Sequence, residues 1–191
     1  MKPRLLLPAL CLLAACGSAP SRFYELTAEA PAAQPKPTSL SGLSATTVAL
    51  GAIDLPGTLD RPQMVRRHGV NQLTYSEDER WAGPLDQMVR RALSDDLAAR
   101  LPAGLSLIDP GSANPAARTV AIEVSRFDAD DAGEVTLVAR WSVLGPGGAV
   151  LMPPREATLV EPGGGADPAR VALTMSRVLA ALAAQIAAVL R

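Results

Sequence analysis

Thr119-Val120-Ala121-Ile122-Glu123-Val124-Ser125-Arg126-Phe127, a turn-rich 128–133, and Glu134-Val135-Thr136-Leu137-Val138-Ala139-Arg140-Trp141-Ser142-Val143-Leu144 form the stretch that decides the fold. Val120, Ile122 and Val124, then Val135, Leu137, Ala139, Trp141 and Val143, recur at every second position, the period of strands with one buried face. The aspartate- and glycine-containing segment between the runs reads as a hairpin turn. Gly145-Pro146-Gly147-Gly148 is a second turn, leading into residues 149–161. There Pro153 and Pro154 lack the amide hydrogen that an interior strand needs, which makes this strand an edge. Three consecutive strands thus form a meander, with Glu123, Arg126, Thr136 and Arg140 on the face away from the core.

Helical patterns lie on both sides of the meander. Downstream, Asp167 and Pro168 suit an N-cap and first helical position, and Val171, Met175, Val178, Leu179, Leu182, Ile186, Val189 and Leu190 form an apolar stripe. Arg170, Arg177 and Gln185 break up any membrane-spanning run, so this helix is expected to pack on the sheet. Upstream, Ser76 followed by Glu79 reads as a capping box, with Trp81, Leu85, Met88, Val89, Ala92, Leu93, Leu97 and Leu101 at helical spacing and Pro102 and Gly104 as the stop. Before it, residues 46–55 alternate through Val48, Leu50 and Ala52. A less regular extended segment runs over 63–75, interrupted by Gly69, and 105–108 is a short edge strand. Together these predict an α+β fold over residues 46–191: a single domain with a mostly antiparallel sheet and two amphipathic helices packed on one face.

The first sixteen residues carry a different message. Lys2 and Arg4 precede an apolar run over 5–15 that is too short to span a bilayer, and Leu13-Ala14-Ala15-Cys16-Gly17 follows. This is the pattern of a bacterial lipoprotein signal: residues 1–15 are expected to be removed, leaving Cys16 as an N-terminal acceptor for diacylglyceryl and acyl chains such as palmitate. At about 0.8 kcal/mol per buried methylene, several chains anchor firmly. Pro20, Pro31, Pro35 and Pro37 make 16–45 read as a lipidated tether able to hold a domain several tens of ångströms from the membrane. Arg22-Phe23-Tyr24-Glu25-Leu26 inside it is aromatic enough for a short strand.

The chain of 191 residues has 18 basic and 19 acidic side chains. Removal of Lys2 and Arg4 leaves sixteen basic against nineteen acidic, a net charge near −3 without basic clusters, which argues against nucleic acid as a partner. With Cys11 in the leader and Cys16 acylated, the mature domain keeps no thiol for a disulfide, a nucleophile or a metal. Pro162-Gly163-Gly164-Gly165 lacks the Gly-Lys-Ser/Thr ending of a phosphate loop and reads as a connection into a helix. Asp128, Asp130 and Asp131 lack the spacing of a calcium loop. His68, between Arg67 and Gly69, has no triad spacing around it and reads as a surface histidine. Trp81 and Trp141 read as core anchors. No arrangement amounts to an active site, and neither a metal nor a cofactor is expected beyond the lipid on Cys16.

One segment fits no period. Residues 55–67, Leu55-Pro56-Gly57-Thr58-Leu59-Asp60-Arg61-Pro62-Gln63-Met64-Val65-Arg66-Arg67, mix apolar, charged and turn residues, and prolines at both ends of the loop restrict its conformations. Leu59, Arg61 and Gln63 are expected to be exposed and presented with little entropy loss on binding. A plain connection between two strands accounts for the same composition.

A lipobox cysteine, Phe23-Tyr24-x-Leu26 shortly after it, Leu55-Pro56-x-x-Leu59-Asp60-Arg61-Pro62-Gln63, and Glu79-Arg80-Trp81-x-x-Pro84-Leu85 together resemble the PqiC family, auxiliary lipoproteins of MCE-type ABC transport systems. The specific motifs fall between Phe23 and Leu101; beyond, only the pattern of strands and helix agrees. The resemblance implies a non-enzymatic periplasmic lipoprotein on the outer membrane that docks an MCE-domain protein, supports lipid movement between membranes and envelope integrity, and forms a ring-like homo-oligomer. Gly17, rather than aspartate, after the cysteine suits outer-membrane sorting. On this reading the partner contacts are Leu55, Pro56, Leu59, Asp60, Arg61, Pro62, Gln63, Arg66 and Arg67. A lipid- or small-ligand-binding lipoprotein, with acyl chains between sheet and helices, is the alternative.

Overall fold

The alternating runs over 118–144 become the longest ladder of the sheet. The computed structural model describes residues 20–29, 46–108 and 117–190. Within them the order is β1 (Arg22–Tyr24), β2 (Thr46–Asp54), β3 (Gln63–His68), β4 (Gln72–Trp81), α1 (Leu85–Arg100), β5 (Leu105–Ile108), β6 (Arg118–Asp130), β7 (Val135–Leu144), β8 (Val150–Glu161) and α2 (Pro168–Val189). β6, β7 and β8 form the expected antiparallel meander, with β8 at the edge. The other flank of β6 is shared: β2 lies beside its first half in parallel and carries β5 outside it. β3 lies beside its last residues, Arg66 opposite Ala129, and is followed outward by β4 and β1. The sheet is open, and most of its paired residues lie in antiparallel ladders, although β1–β4, β2–β5, β2–β6 and β3–β6 are parallel.

One bulge sets which side chains reach the core. The β6–β7 register shifts between Val124 and Arg126. An extra residue in one strand switches the parity of everything after it. Inward positions therefore run Val120, Ile122, Val124 and then Phe127, Ala129, all buried. They meet Val89, Leu93 and Leu97 of α1 and Val171, Met175, Leu179, Leu182 and Ile186 of α2 in one apolar cluster. Each such side chain contributes about 1.5–3 kcal/mol by leaving water. α2 is long and apolar enough to cross a membrane, but 67% of its most apolar window is buried against the domain, as in a core helix.

Several expectations change. Ser76 and Glu79 do not open a helix; they lie in β4. Register passes from Val65 opposite Tyr75 to Gln63 opposite Arg80, so β4 bulges between them, and the Ser76 Oγ accepts the Glu79 N–H at 3.1 Å. The spacing thus marks a real local turn, but tertiary strand pairing claims the backbone on either side of it. α1 starts instead at Leu85 after Pro84, and Trp81, still buried, ends the strand. The segment 63–75 resolves into the β3–β4 hairpin. Asp128 and Asp130 belong to β6, not to the turn after it. Asp167 and Pro168 hold the expected positions at α2, but the Asp167 side chain makes no cap bond; Val189 is 40% exposed.

The expected leader 1–15, Cys16 and residues 30–45 lie outside the described residues. What is described of the expected tether 16–45 is not free chain. β1 pairs with β4, Leu26 is buried, the Thr27 N–H donates to the Ser176 Oγ at 3.1 Å, and the Glu29 N–H donates to the Asp96 Oδ2 at 3.4 Å. Asp96, fully buried, also pairs with the Arg100 Nη1 at 2.5 Å.

Candidate functional site

Three stretches far apart in sequence are knitted together at the C-terminal end of β4. Between β2 and β3 the chain makes one 3₁₀ turn, Gly57–Leu59, in which the Leu59 N–H donates to the Pro56 carbonyl at 2.8 Å. The Trp81 N–H donates to the Pro62 carbonyl at 2.7 Å, and the Ala82 N–H to the Tyr24 carbonyl at 2.9 Å. Segments 22–26, 55–63 and 79–85 therefore share one end of the domain, around the start of α1. A surface cavity of about 370 Å³ lies between Asp60, Arg61, Pro62, Trp81 and Pro84. A second, of about 300 Å³, flanks the loop on the side of Asp54, Leu55 and Gly57, and a third, of about 210 Å³, lies between Leu26, Met88 and Arg91.

The loop does not present all the residues expected of it. Leu59 is only 5% exposed and belongs to the core cluster, because the 3₁₀ turn directs it inward. Leu59→Ala should therefore cost about 2–3 kcal/mol of stability, read as a lowered urea midpoint, whereas Asp60→Ala should stay within about 0.5 kcal/mol of the parent. Asp60, Arg61 and Pro62 are exposed, Leu55, Pro56 and Gln63 half-buried. The Arg61 guanidinium sits 4.1 Å from the Tyr75 ring centroid, a cation–π contact that holds the side chain extended over the surface.

Arg66 and Arg67 face away from this end and are engaged inside the domain. Arg66 donates to the Asp130 carbonyl at 3.3 Å and to the Ala166 carbonyl at 2.5 Å; burial lowers its pKa, opposed by Asp130, Asp131 and Asp167. Arg67 donates from Nε and Nη2 to the carboxylate of Asp128, at 3.0 and 2.7 Å, and that hydrogen bonding raises its pKa. Of the nine candidate contacts, Asp60, Arg61, Pro62, Gln63, Leu55 and Pro56 remain at the surface. The neighbours that complete it, Tyr24, Gly83, Met88 and Arg91, are not among those nine. Glu79, read from the sequence as half of a capping box, is instead a buried carboxylate that pairs with Arg22 across β1–β4; burial and the hydrogen bond to Glu79 raise the pKa of Tyr24.

A family model described as ABC-type transport auxiliary lipoprotein component matches residues 24–187, from β1 to the last turns of α2. The chain belongs to this family. Membership makes it a membrane-anchored periplasmic component of an ABC-type transport system, and the family, the PqiC-like one, is one of transport auxiliaries rather than enzymes. Two solved structures share its fold. One, titled as an uncharacterized protein, is 19% identical with a TM-score of 0.73, over 91% of this chain and 100% of that one. The other, protein XCC0632 from Xanthomonas campestris, is 20% identical with a TM-score of 0.63, over 87% of this chain and 93% of that one. No curated protein matches.

In the auxiliary lipoprotein the groups that invited other chemistry are absorbed by structure. His68 lies between the Asp131 Oδ1, 2.5 Å from its Nδ1, and the Thr74 Oγ1, 2.8 Å from its Nε2. Acid, imidazole and hydroxyl come in the order of a hydrolytic triad. The Asp131 side chain is 62% exposed and that of His68 40%, so water competes for every polar contact, and the desolvation on which such a triad depends is missing. The three partners instead clasp the β3–β4 hairpin to the β6–β7 turn. In the glycine loop, the Gly164 carbonyl accepts from Arg170 at 2.9 Å and the Ala166 carbonyl from Arg66. The loop thus meets its own arginines with carbonyl oxygens, where a phosphate cradle needs N–H groups.

Proposed function

We propose that this auxiliary lipoprotein, acylated at Cys16 and held on the periplasmic side of the outer membrane, docks an MCE-domain protein of an intermembrane lipid transport system through the surface around loop 55–63. The supporting observation is convergence: the three motif segments that carry the family resemblance meet at one end of the domain, although only Leu26, Leu59, Trp81 and Leu85 among them belong to the buried apolar core. Exposed Asp60 and Arg61 beside proline-bounded cavities suit a rigid, polar contact. Arginine anchored over an aromatic ring is a frequent source of binding energy. The alternative, acyl chains stored between sheet and helices, has less support, since Phe127, Trp141, Leu179 and Leu182 fill that space.

In a pull-down with the MCE-domain protein, Asp60→Ala/Arg61→Ala should weaken retention about tenfold, equivalent to about 1.4 kcal/mol, with melting unchanged. Equal retention of parent and variant would remove the loop from the docking role.

A further inference from the structure

We infer that the folded domain rides directly on the lipid surface, with its β1 edge toward the membrane, rather than hanging from a long flexible tether. This rests on acylation of Cys16, as proposed above. β1 is a member of the sheet, paired with β4 from Arg22 opposite Glu79 to Tyr24 opposite Trp81, and Arg22 pairs with Glu79 by side chain. The chain after it is pinned in turn by buried Leu26 and by the Thr27 and Glu29 amides on the two helices. Free length between lipid and fold is therefore set by residues 17–21 alone. From Cys16 to Arg22 there are six residue steps, at most about 22 Å when fully extended. The proline-rich residues after Glu29 cannot add to that reach, because they lie on the far side of the pinned strand.

The edge so placed carries a side chain suited to lipid. Phe23 points away from the core and is 64% exposed on a strand that pairs on one side only, with Arg22 next to it. An exposed aromatic beside a cation is the composition of interfacial anchors. β8, with exposed Thr158, forms the opposite edge, five strand spacings away, about 24 Å across the sheet. The leash is thus no longer than the sheet is wide, and the domain cannot tumble freely above the membrane.

Since the mature chain has no cysteine besides Cys16, single labels can be placed at Glu77→Cys, exposed beside β1, and at Thr158→Cys on β8. Each acylated, fluorophore-labelled protein is bound to phosphatidylethanolamine/phosphatidylglycerol vesicles containing lipids with nitroxide headgroups. Quenching should be several-fold stronger at position 77 than at 158, with unchanged circular dichroism. Vesicle-bound protein quenched equally at both positions overturns the orientation and leaves the anchor standing. Protein that fails to float with vesicles overturns both.

Discussion

Gly133→Ala is expected to lower the stability of the domain by about 3 kcal/mol, a fall in Tm of roughly 6–12 °C for a chain of this size. The reason lies in two loops that touch backbone to backbone. Gly133 closes the β6–β7 turn, its N–H donating to the Asp130 carbonyl at 3.0 Å, while the Asp130 side chain holds the amides of Ala132 and Glu134 at 2.9 and 2.8 Å. Its φ of +82° costs any L side chain about 1–2 kcal/mol. A Cβ at Gly133 would also run into the carbonyl of Gly165, and one at Gly163 into the carbonyl of Gly133. Neither obstacle is a flexible side chain that can swing aside. Gly163→Ala, with no positive φ to strain, should lose somewhat less, and Gly147→Ala, whose added methyl meets nothing within 4 Å, should lose only the strain of its φ of +69°. Thermal denaturation of the three variants orders these costs. Similar melting for all three would mean that the two loops are not in contact.

This contact also explains what the sequence could and could not disclose. The meander is legible because alternation holds from Val120 to Val124 and again from Val135 to Val143, and because proline marks β8 as an edge; both signals are local. α2 was legible for the same reason. The parallel pairings of β2 and β3 on one flank of β6 were not, since they depend on which distant strand arrives beside it, and no period in either strand records its neighbour. Ser76 and Glu79 show the limit within a single motif: the hydrogen bond that the spacing implies does form, but in a strand bulge. The Gly163–Gly165 run reads from the sequence as a connection into a helix, while its contact with Gly133 needs the fold. At the candidate site, of the three residues expected to be exposed, Arg61 is and Gln63 is half-buried. Leu59 is buried, because the direction of a loop leucine depends on a single turn, and the bonds from Arg66 to Ala166 and from Arg67 to Asp128 leave no trace in the sequence, because those partners lie 100 and 61 residues away.

The second large effect is expected at the carboxylate that holds one of those arginines. Asp128 is 4% exposed and accepts from the Arg67 Nε and Nη2 and, at 2.9 Å, from the Arg126 Nε. It thereby ties β3 to β6 where only two residue pairs join them, Arg66 with Ala129 and Arg67 with Asp130. Asp128→Ala would leave the Arg67 side chain, 22% exposed, without its counter-charge, and the loss should be about 3 kcal/mol. That is the lower end of the range for breaking a buried pair, because water can reach part of both guanidinium groups. Asp128→Asn keeps one acceptor oxygen and should cost about half as much. Asp131→Ala, which removes a carboxylate 62% exposed, should change stability by no more than about 0.5 kcal/mol. Urea unfolding of the three variants separates a buried tie from a surface charge. If Asp128→Ala unfolds at the same midpoint as Asp131→Ala, the β3–β6 seam is held by its backbone pairing and the arginine pair contributes nothing.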